Sequence, residues 1–168
     1  MTQTLQPMMN ELQQEAAVTR RVLERVPGEK LSWKPHPKSM SLGQLALHVA
    51  TIPGAISRIA QLDEFDASQA NFDTPPPNSI GEVFAAMDAS LKTAEEYLCG
   101  VSESDLMENW RLTFKGREVF SMPRAGVFRS IMLNHWYHHR GQLSVYLRLL
   151  DVPVPVIYGR SADENPFA

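Results

Sequence analysis

The sequence predicts an all-α protein: a four-helix bundle with a short β-hairpin between the third and fourth helices and an extended C-terminal tail. Three observations carry this. Four long segments place apolar residues three and four apart, the spacing that gives a helix one buried face. Only between Trp110 and Met122 does the period fall to two, as in a strand. Pro153 and Pro155 then forbid helix in the last stretch of the chain. With 168 residues, 43% of them hydrophobic, one domain spanning 1–168 is large enough to bury a core without disulfides.

The first helix is expected over 5–26, where Met8, Leu12, Thr19, Leu23 and Val26 share a face, and it ends near Pro27 and Gly28. A polar link over 29–39 follows, with Trp33 as its anchor. Ser41 and Gln44 have the spacing of a capping box and start a second helix over 42–62. On it His48 falls among Leu45, Ile52, Ala55 and Ile59, near the centre of the apolar face. Pro53 removes an intrahelical donor and crowds the carbonyl of Val49, so a kink is expected one turn beyond His48.

Residues 63–78 are acidic and polar and include three consecutive prolines, which reads as a long loop. Ser79 and Glu82 repeat the capping-box spacing. Val83, Phe84, Met87, Leu91, Ala94 and Leu98 then form a stripe ending at Gly100. Trp110, Leu112 and Phe114 alternate with polar residues, and Lys115-Gly116 offers the turn of a hairpin. Pro123 fits the first turn of a fourth helix that runs to about Asp151. In the tail, Val154, Val156, Ile157 and Tyr158 are apolar enough to dock on the bundle.

Composition excludes several functions. Cys99 is the single cysteine, so neither a disulfide framework nor a cysteine zinc site can form within the chain, as expected in a reducing cytoplasm. The polar N-terminal stretch lacks an apolar signal core, and no apolar run is long enough to span a membrane. A formal charge of −3, with Lys and Arg scattered singly, offers no footprint for nucleic acid.

The chemistry is concentrated in Asn134-His135-Trp136-Tyr137-His138-His139-Arg140-Gly141-Gln142, which holds three of the five histidines. His135 and His139, four apart in a helix, stand about 40° apart on one face, the spacing of a two-point metal clamp. A wheel centred on His135 places Phe128, Ile131, Met132, Gln142, Leu143 and Tyr146 around the pair and Arg129, Arg140, Ser144 and Arg148 on the far side. The clamp is therefore expected in the middle of the buried stripe, with His138 flanking it and Tyr146 in the core.

One histidine on an apolar stripe is ordinarily a satisfied core residue. Three of them, His48, His135 and His139, would each need a partner in a dry core, and a divalent metal satisfies all three lone pairs at once. Three imidazoles leave a coordination position open for water or substrate. All-nitrogen ligation suits zinc, nickel, iron or copper. Gln142, three residues after His139, is expected to be a buried amide that orients a ligand, contacts substrate or bonds across helices.

His-Trp-Tyr-His-His-Arg-Gly-Gln-Leu at 135–143, the isolated His48 in Leu-Ala-Leu-His, and the ending Val-Pro-Val-Ile-Tyr-Gly at 154–159 resemble the DinB/YfiT-like metal-dependent superfamily. The resemblance extends over nearly the whole chain in its order of elements, and the 135–143 motif is its most specific part. It implies an up-down-down-up bundle, commonly a homodimer, with nickel, zinc or iron held by His48, His135 and His139. It also implies thiol-dependent S-transferase or isomerase relatives that use low-molecular-weight thiols. It does not imply DNA repair.

The leading expectation is an enzyme whose metal lowers the pKa of a thiol or water and presents it to a small electrophile, with thiol transfer ahead of hydrolysis. A ligand-holding or stress-associated bundle without turnover is the rival, and a metal-free histidine core the third reading. No catalytic carboxylate is assigned, because Asp88 and Glu95 read as solvated helix charges. The 63–78 loop and Tyr158 are expected to wall the mouth of the site.

Overall fold

The computed structural model describes residues 4–71 and 74–167. Residues 1–3 of the polar N-terminus, Phe72 and Asp73 of the predicted loop and Ala168 of the tail lie outside the described residues. The chain forms α1 (Leu5–Leu23), α2 (Leu42–Ala60), β1 (Glu64–Asp66), α3 (Ile80–Gly100), α4 (Glu103–Met107), β2 (Asn109–Phe114), β3 (Arg117–Pro123), α5 (Arg124–Gly126) and α6 (Asn134–Leu149). A π-helical segment, Val127–Leu133, joins α5 to α6.

Contacts between side chains fix the direction of each long helix. Arg20 of α1 meets Asp88 and Phe84 of α3, while Thr4 at the start of α1 meets Glu103 just beyond the end of α3, so this pair is antiparallel. Glu11 reaches Tyr137 and Glu15 reaches Arg140, so α1 and α6 run parallel. His48 faces His135 while Ala60 meets Arg124, which makes α2 antiparallel to α6. The result is an up-down-down-up bundle, with a small sheet at one end.

Local chemistry explains most boundaries. Ser41 Oγ accepts from Gln44 N at 3.1 Å and Gln44 Oε1 accepts from Ser41 N at 2.9 Å, completing the expected capping box. At α3 only half of a box forms: Ser79 Oγ caps Glu82 N, but the Glu82 carboxylate turns to Asn78 N instead. Lys115 (φ 50°) and Gly116 (φ 75°) supply the two positive φ angles that a tight two-residue hairpin turn requires.

Two expectations need correction, and one short helix was not foreseen. The 63–78 stretch is not loop throughout, because Glu64–Asp66 pairs in parallel with β2 to give a three-stranded sheet ordered β1-β2-β3. Three residues carry too little alternation to register as a strand. The short α4, capped by Ser102 Oγ on Asp105 N, was likewise too brief to show a period. Pro123 is the last residue of β3 and precedes α5, with ψ of 147°, rather than lying in the helix's first turn.

Pro53 lies inside α2 without ending it. Lacking an N–H, it cannot donate to the carbonyl of Val49, one turn back. That carbonyl instead accepts from the buried indole Nε1–H of Trp136 at 2.8 Å. The neighbouring Gly54 N–H donates to Ser90 Oγ at 2.8 Å, and a Cβ on Gly54 would stand 2.8 Å from the Ser90 backbone, so glycine permits the close crossing of α2 and α3. At the end of α2, Trp110 Nε1 donates to Ile59 O, which also accepts from Leu62 N, and the buried Arg124 Nε donates to Ala60 O, both side-chain bonds at 3.0 Å, so donors from outside the helix help to satisfy its last carbonyls.

Trp136→Phe keeps an aromatic ring but strands the Val49 carbonyl, with an expected loss of about 1–3 kcal/mol in urea unfolding. In a Pro53→Ala background residue 53 regains its N–H, so the same substitution should cost clearly less. An equal loss in both backgrounds would show that the indole donor does not serve this carbonyl.

Candidate metal centre

His48 comes from α2 and His135 and His139 from α6, and all three are half-buried. One ligand nitrogen from each lies within 4.8 Å of the others. The His48 and His135 Nε2 atoms are 3.2 Å apart, and the ring centroids are separated by 4.5 to 5.0 Å. Tetrahedral ligation at about 2.05 Å per nitrogen would place donor atoms about 3.3 Å apart, so the cluster has the dimensions and donor set of a three-nitrogen metal site.

Two elements hold this spacing. The Trp136 indole on the Val49 carbonyl fixes α6 against α2 at the residues immediately following His135 and His48. His139 Nδ1 and Gln142 Oε1 are 2.7 Å apart. The amide oxygen can only accept, so the proton sits on Nδ1 and the Nε2 lone pair of His139 is left free. Gln142 is exposed rather than buried, contrary to expectation, and reaches inward to the ring.

The pair is on the shoulder of the buried stripe, not in its middle. The buried residues of α6 are Trp136, Arg140, Leu143 and Leu147. At about 100° per residue they centre about 110° round from His135. The same geometry applies to His48, which is half-buried beside Leu45, Val49 and Ile52 rather than central among them. The three donors thus line an edge between α2 and α6 that reaches solvent. His138 stands further out, exposed, with its ring 4.8 Å from that of His139.

Arg140 displaced the predicted wheel. It was expected on the solvent side, yet it is 1% exposed. Its guanidinium pairs with Glu15 Oε2 at 2.7 Å, donates to Thr19 Oγ1 at 3.0 Å and contacts the Tyr158 hydroxyl. Its carbon also lies 5.3 Å from the Tyr137 ring centroid and 5.0 Å from that of Tyr158. Sequence reasoning missed this network. The signal was the spacing of Trp136, Arg140, Leu143 and Leu147, four and three apart, which becomes the buried seam once Arg140 is allowed a partner.

Tyr158 is therefore engaged with Arg140 and Glu15 behind α6 and does not wall the histidine site. The 63–78 segment divides: its start joins the sheet, while Thr74 O accepts from Gln44 Nε2, one turn before His48. Tyr146, three turns into α6, is half-buried, stacked edge-on against Trp33 at 5.7 Å. Asp88 pairs with Arg20 on the surface. No helix is long and apolar enough to cross a membrane among the described residues.

Burial, reinforced by the neighbouring His139 and His135, holds His48 down to about 4 from the ordinary 6.5. His135 falls to about 4 by burial and then the charges of His139 and His138. His139 is lowered by burial, with Gln142 opposing and His138 assisting. At neutral pH all three are uncharged, the form that ligates a metal.

An up-down-down-up helical bundle with three neutral imidazoles gathered between two helices defines a class: a helical protein whose donor set could hold a metal ion. The chain belongs to the DinB family, whose model matches residues 1–165. It is similar to the uncharacterized protein YrdA of Bacillus subtilis (strain 168), at 28% identity over 169 residues that cover 98% of this chain and 93% of YrdA. Among solved structures it is similar to a DinB-like protein from Bacillus cereus ATCC 10987, with a TM-score of 0.72 and 24% identity, covering 94% of this chain and 100% of the other. A second is the DinB-like protein YjoA from Bacillus subtilis, with a TM-score of 0.68 and 19% identity, covering 92% and 99% of the two chains. At these identities the structural likeness is one of fold.

The depressed histidine pKa values fix the sign of a pH effect. Between about 4 and 6.5 the unfolded chain binds more protons than the folded one, so stability falls as pH drops through that window and is unaffected by these groups above it. For chelator-treated protein, urea midpoints should decline from pH 7 to pH 4.5. The decline should be shallower in His48→Ala, and identical slopes in the two proteins would exclude the cluster as its source.

Proposed function

We propose that this DinB-family chain is a metal-dependent enzyme in which His48, His135 and His139 hold one divalent nickel, zinc or iron ion and a low-molecular-weight thiol is transferred to a small electrophile. The observation that carries the reading is the convergence of three uncharged imidazoles within 4.8 Å on an edge open to solvent. A metal held there would supply Lewis acidity, lowering the pKa of a ligated thiol or water toward neutrality.

The chain's own residues supply position and access. The Trp136 indole on Val49 sets the distance between the helices that bear the donors. Gln142 orients the His139 ring. The half-exposed edge leaves room for a small molecule to approach opposite the histidines. Transfer of a thiol is placed ahead of hydrolysis because no carboxylate joins the three donor atoms among the described residues, and a thiolate needs no general base once its proton is lost. A cytoplasmic homodimer belongs to the same reading.

A second reading has its own support. The 3.2 Å between His48 Nε2 and His135 Nε2 is also a hydrogen-bond distance, so one imidazole could donate to the other in a metal-free core.

Elemental analysis of untagged protein grown in supplemented medium separates the two. About one metal per chain is expected, with His48→Ala, His135→Ala and His139→Ala each well below it, whereas substoichiometric metal in the parent protein favours the hydrogen-bonded core. Gln142→Leu should weaken metal affinity about 10- to 100-fold in chelator competition while leaving the fold intact. Metal-loaded protein given several cellular thiols and a model electrophile should exceed His135→Ala in rate. Equal rates would remove the enzymatic claim for those substrates.

A further inference from the structure

The edge on which the histidines lie is closed at one end by the link between α1 and α2. The Trp33 ring packs edge-on against Tyr146 with centroids 5.7 Å apart, the Tyr146 hydroxyl donates to Met40 O at 3.3 Å, and Leu42 N donates to Trp33 O at 2.8 Å. Tyr146 stands seven residues after His139, so it shares that face of α6 about 10 Å further along. From Ser41, the cap of α2, to His48 is again about 10 Å. The link therefore lies the length of a small molecule from the three donors.

Charge is distributed unevenly about this edge. Residues 30–62, which include most of the link and α2, and residues 119–150, which include α6, contain four basic residues each and neither Asp nor Glu, so all 19 acidic residues fall elsewhere. The four of the second stretch, Arg124, Arg129, Arg140 and Arg148, are each paired with an acid from outside it. Those of the first, Lys30, Lys34, Lys38 and Arg58, have no ion pair among the described residues. A chain of net charge −3 thus keeps uncompensated positive charge beside its histidine cluster.

The link is also ordered before any ligand arrives. Pro35 and Pro37 fix two φ angles between Lys34 and Lys38, and Ser39 N donates to His36 O at 2.9 Å. Lys38 N donates to His36 Nδ1 at 3.2 Å, so the proton of the neutral imidazole sits on Nε2. Lys34, His36 and Lys38 are all exposed. Two ammonium groups and a ring N–H are offered from a short segment with little backbone entropy left to lose, and a carboxylate is the acceptor that pairs with such donors.

We infer that the thiol taken up at the metal centre carries a carboxylate remote from its sulfur, and that Lys34, Lys38 and His36 bind that carboxylate at the closed end of the edge. This rests on the reading of the three histidines as a metal site that holds a thiol. No bond is made or broken at the link, which orients the thiol and selects it by charge.

Nickel-loaded full-length protein is titrated calorimetrically at low salt with 6-mercaptohexanoate, 6-mercaptohexan-1-ol and mercaptoacetate, the last too short to span from the donors to the link. The long acid should bind about fivefold more tightly than the alcohol, as exposed charge pairs allow, and the two should approach parity in about 1 M salt. Lys34→Gln/Lys38→Gln should abolish the preference while leaving the affinities of the alcohol and of mercaptoacetate unchanged. Arg117→Gln/Arg160→Gln removes the same charge from two exposed positions away from the edge and should retain the preference. Equal binding of acid and alcohol by the parent protein, a preference that survives in Lys34→Gln/Lys38→Gln, or one lost equally in Arg117→Gln/Arg160→Gln would overturn the carboxylate subsite and leave the metal reading standing. Failure of the protein to take up nickel, or of the nickel-loaded protein to bind any of the thiols, would overturn the metal reading and the subsite with it.

Discussion

The constraint on which the rest of the molecule depends is a single carbonyl. Pro53 has no N–H to give Val49, so a helix crossing the interior is left with an acceptor that cannot be satisfied from within. Trp136 fills that vacancy from the opposing helix. The bond joins the residue after His48 to the residue after His135, so a defect in one helix becomes the reference point for the register of two. A proline that reads in isolation as a disturbance is here the means by which histidines distant in sequence are brought within ligating distance.

The same device recurs along α2. Its later carbonyls are taken by Trp110 and Arg124, donors carried by β2 and α5. Side chains from the hairpin and from the helix that follows it thus finish the backbone of the second helix, and this binds the small sheet to the bundle. On the other side of α6 a buried guanidinium does comparable work: Arg140 gathers Glu15 and Thr19 from α1 and Tyr158 from the tail. Burial of such an ion pair is weak evidence of net stability, since desolvation opposes it, but it is strong evidence of register, because its geometry tolerates few alternatives. The histidine-bearing helix is accordingly pinned on two sides, by an indole on one and a guanidinium on the other.

Much of this was legible in the sequence where the governing interactions are local or periodic. Ser41 with Gln44, Lys115 with Gly116, and the stripe from Val83 to Leu98 each announce their element within a few residues. The histidines were legible because four-residue spacing is itself a geometric statement. What escaped was whatever depends on a distant partner. Arg140 looks like a solvent-facing charge until Glu15, 125 positions away, is set beside it. The three residues of β1 have no pattern of their own and exist because β2 lies alongside. Gln142 meets the His139 ring three residues before it in the chain, but its exposure follows from where the buried seam runs, and that seam could not be drawn while Arg140 was counted as polar surface.

The π-helical stretch over Val127–Leu133 carries a consequence for how this site can change. A wider winding accommodates more residues per turn than an α-helix, so its presence shifts the angular phase of everything after it. His135, Trp136, His139 and Arg140 all lie downstream. Their orientation toward α2, the solvent edge and α1 is therefore set partly by the number of residues upstream and not by their own identities. Losing one residue from that stretch would leave the whole motif intact as text and turn it about 100° as an object. The spacing that precedes the motif is therefore as much a part of this site as the histidines themselves.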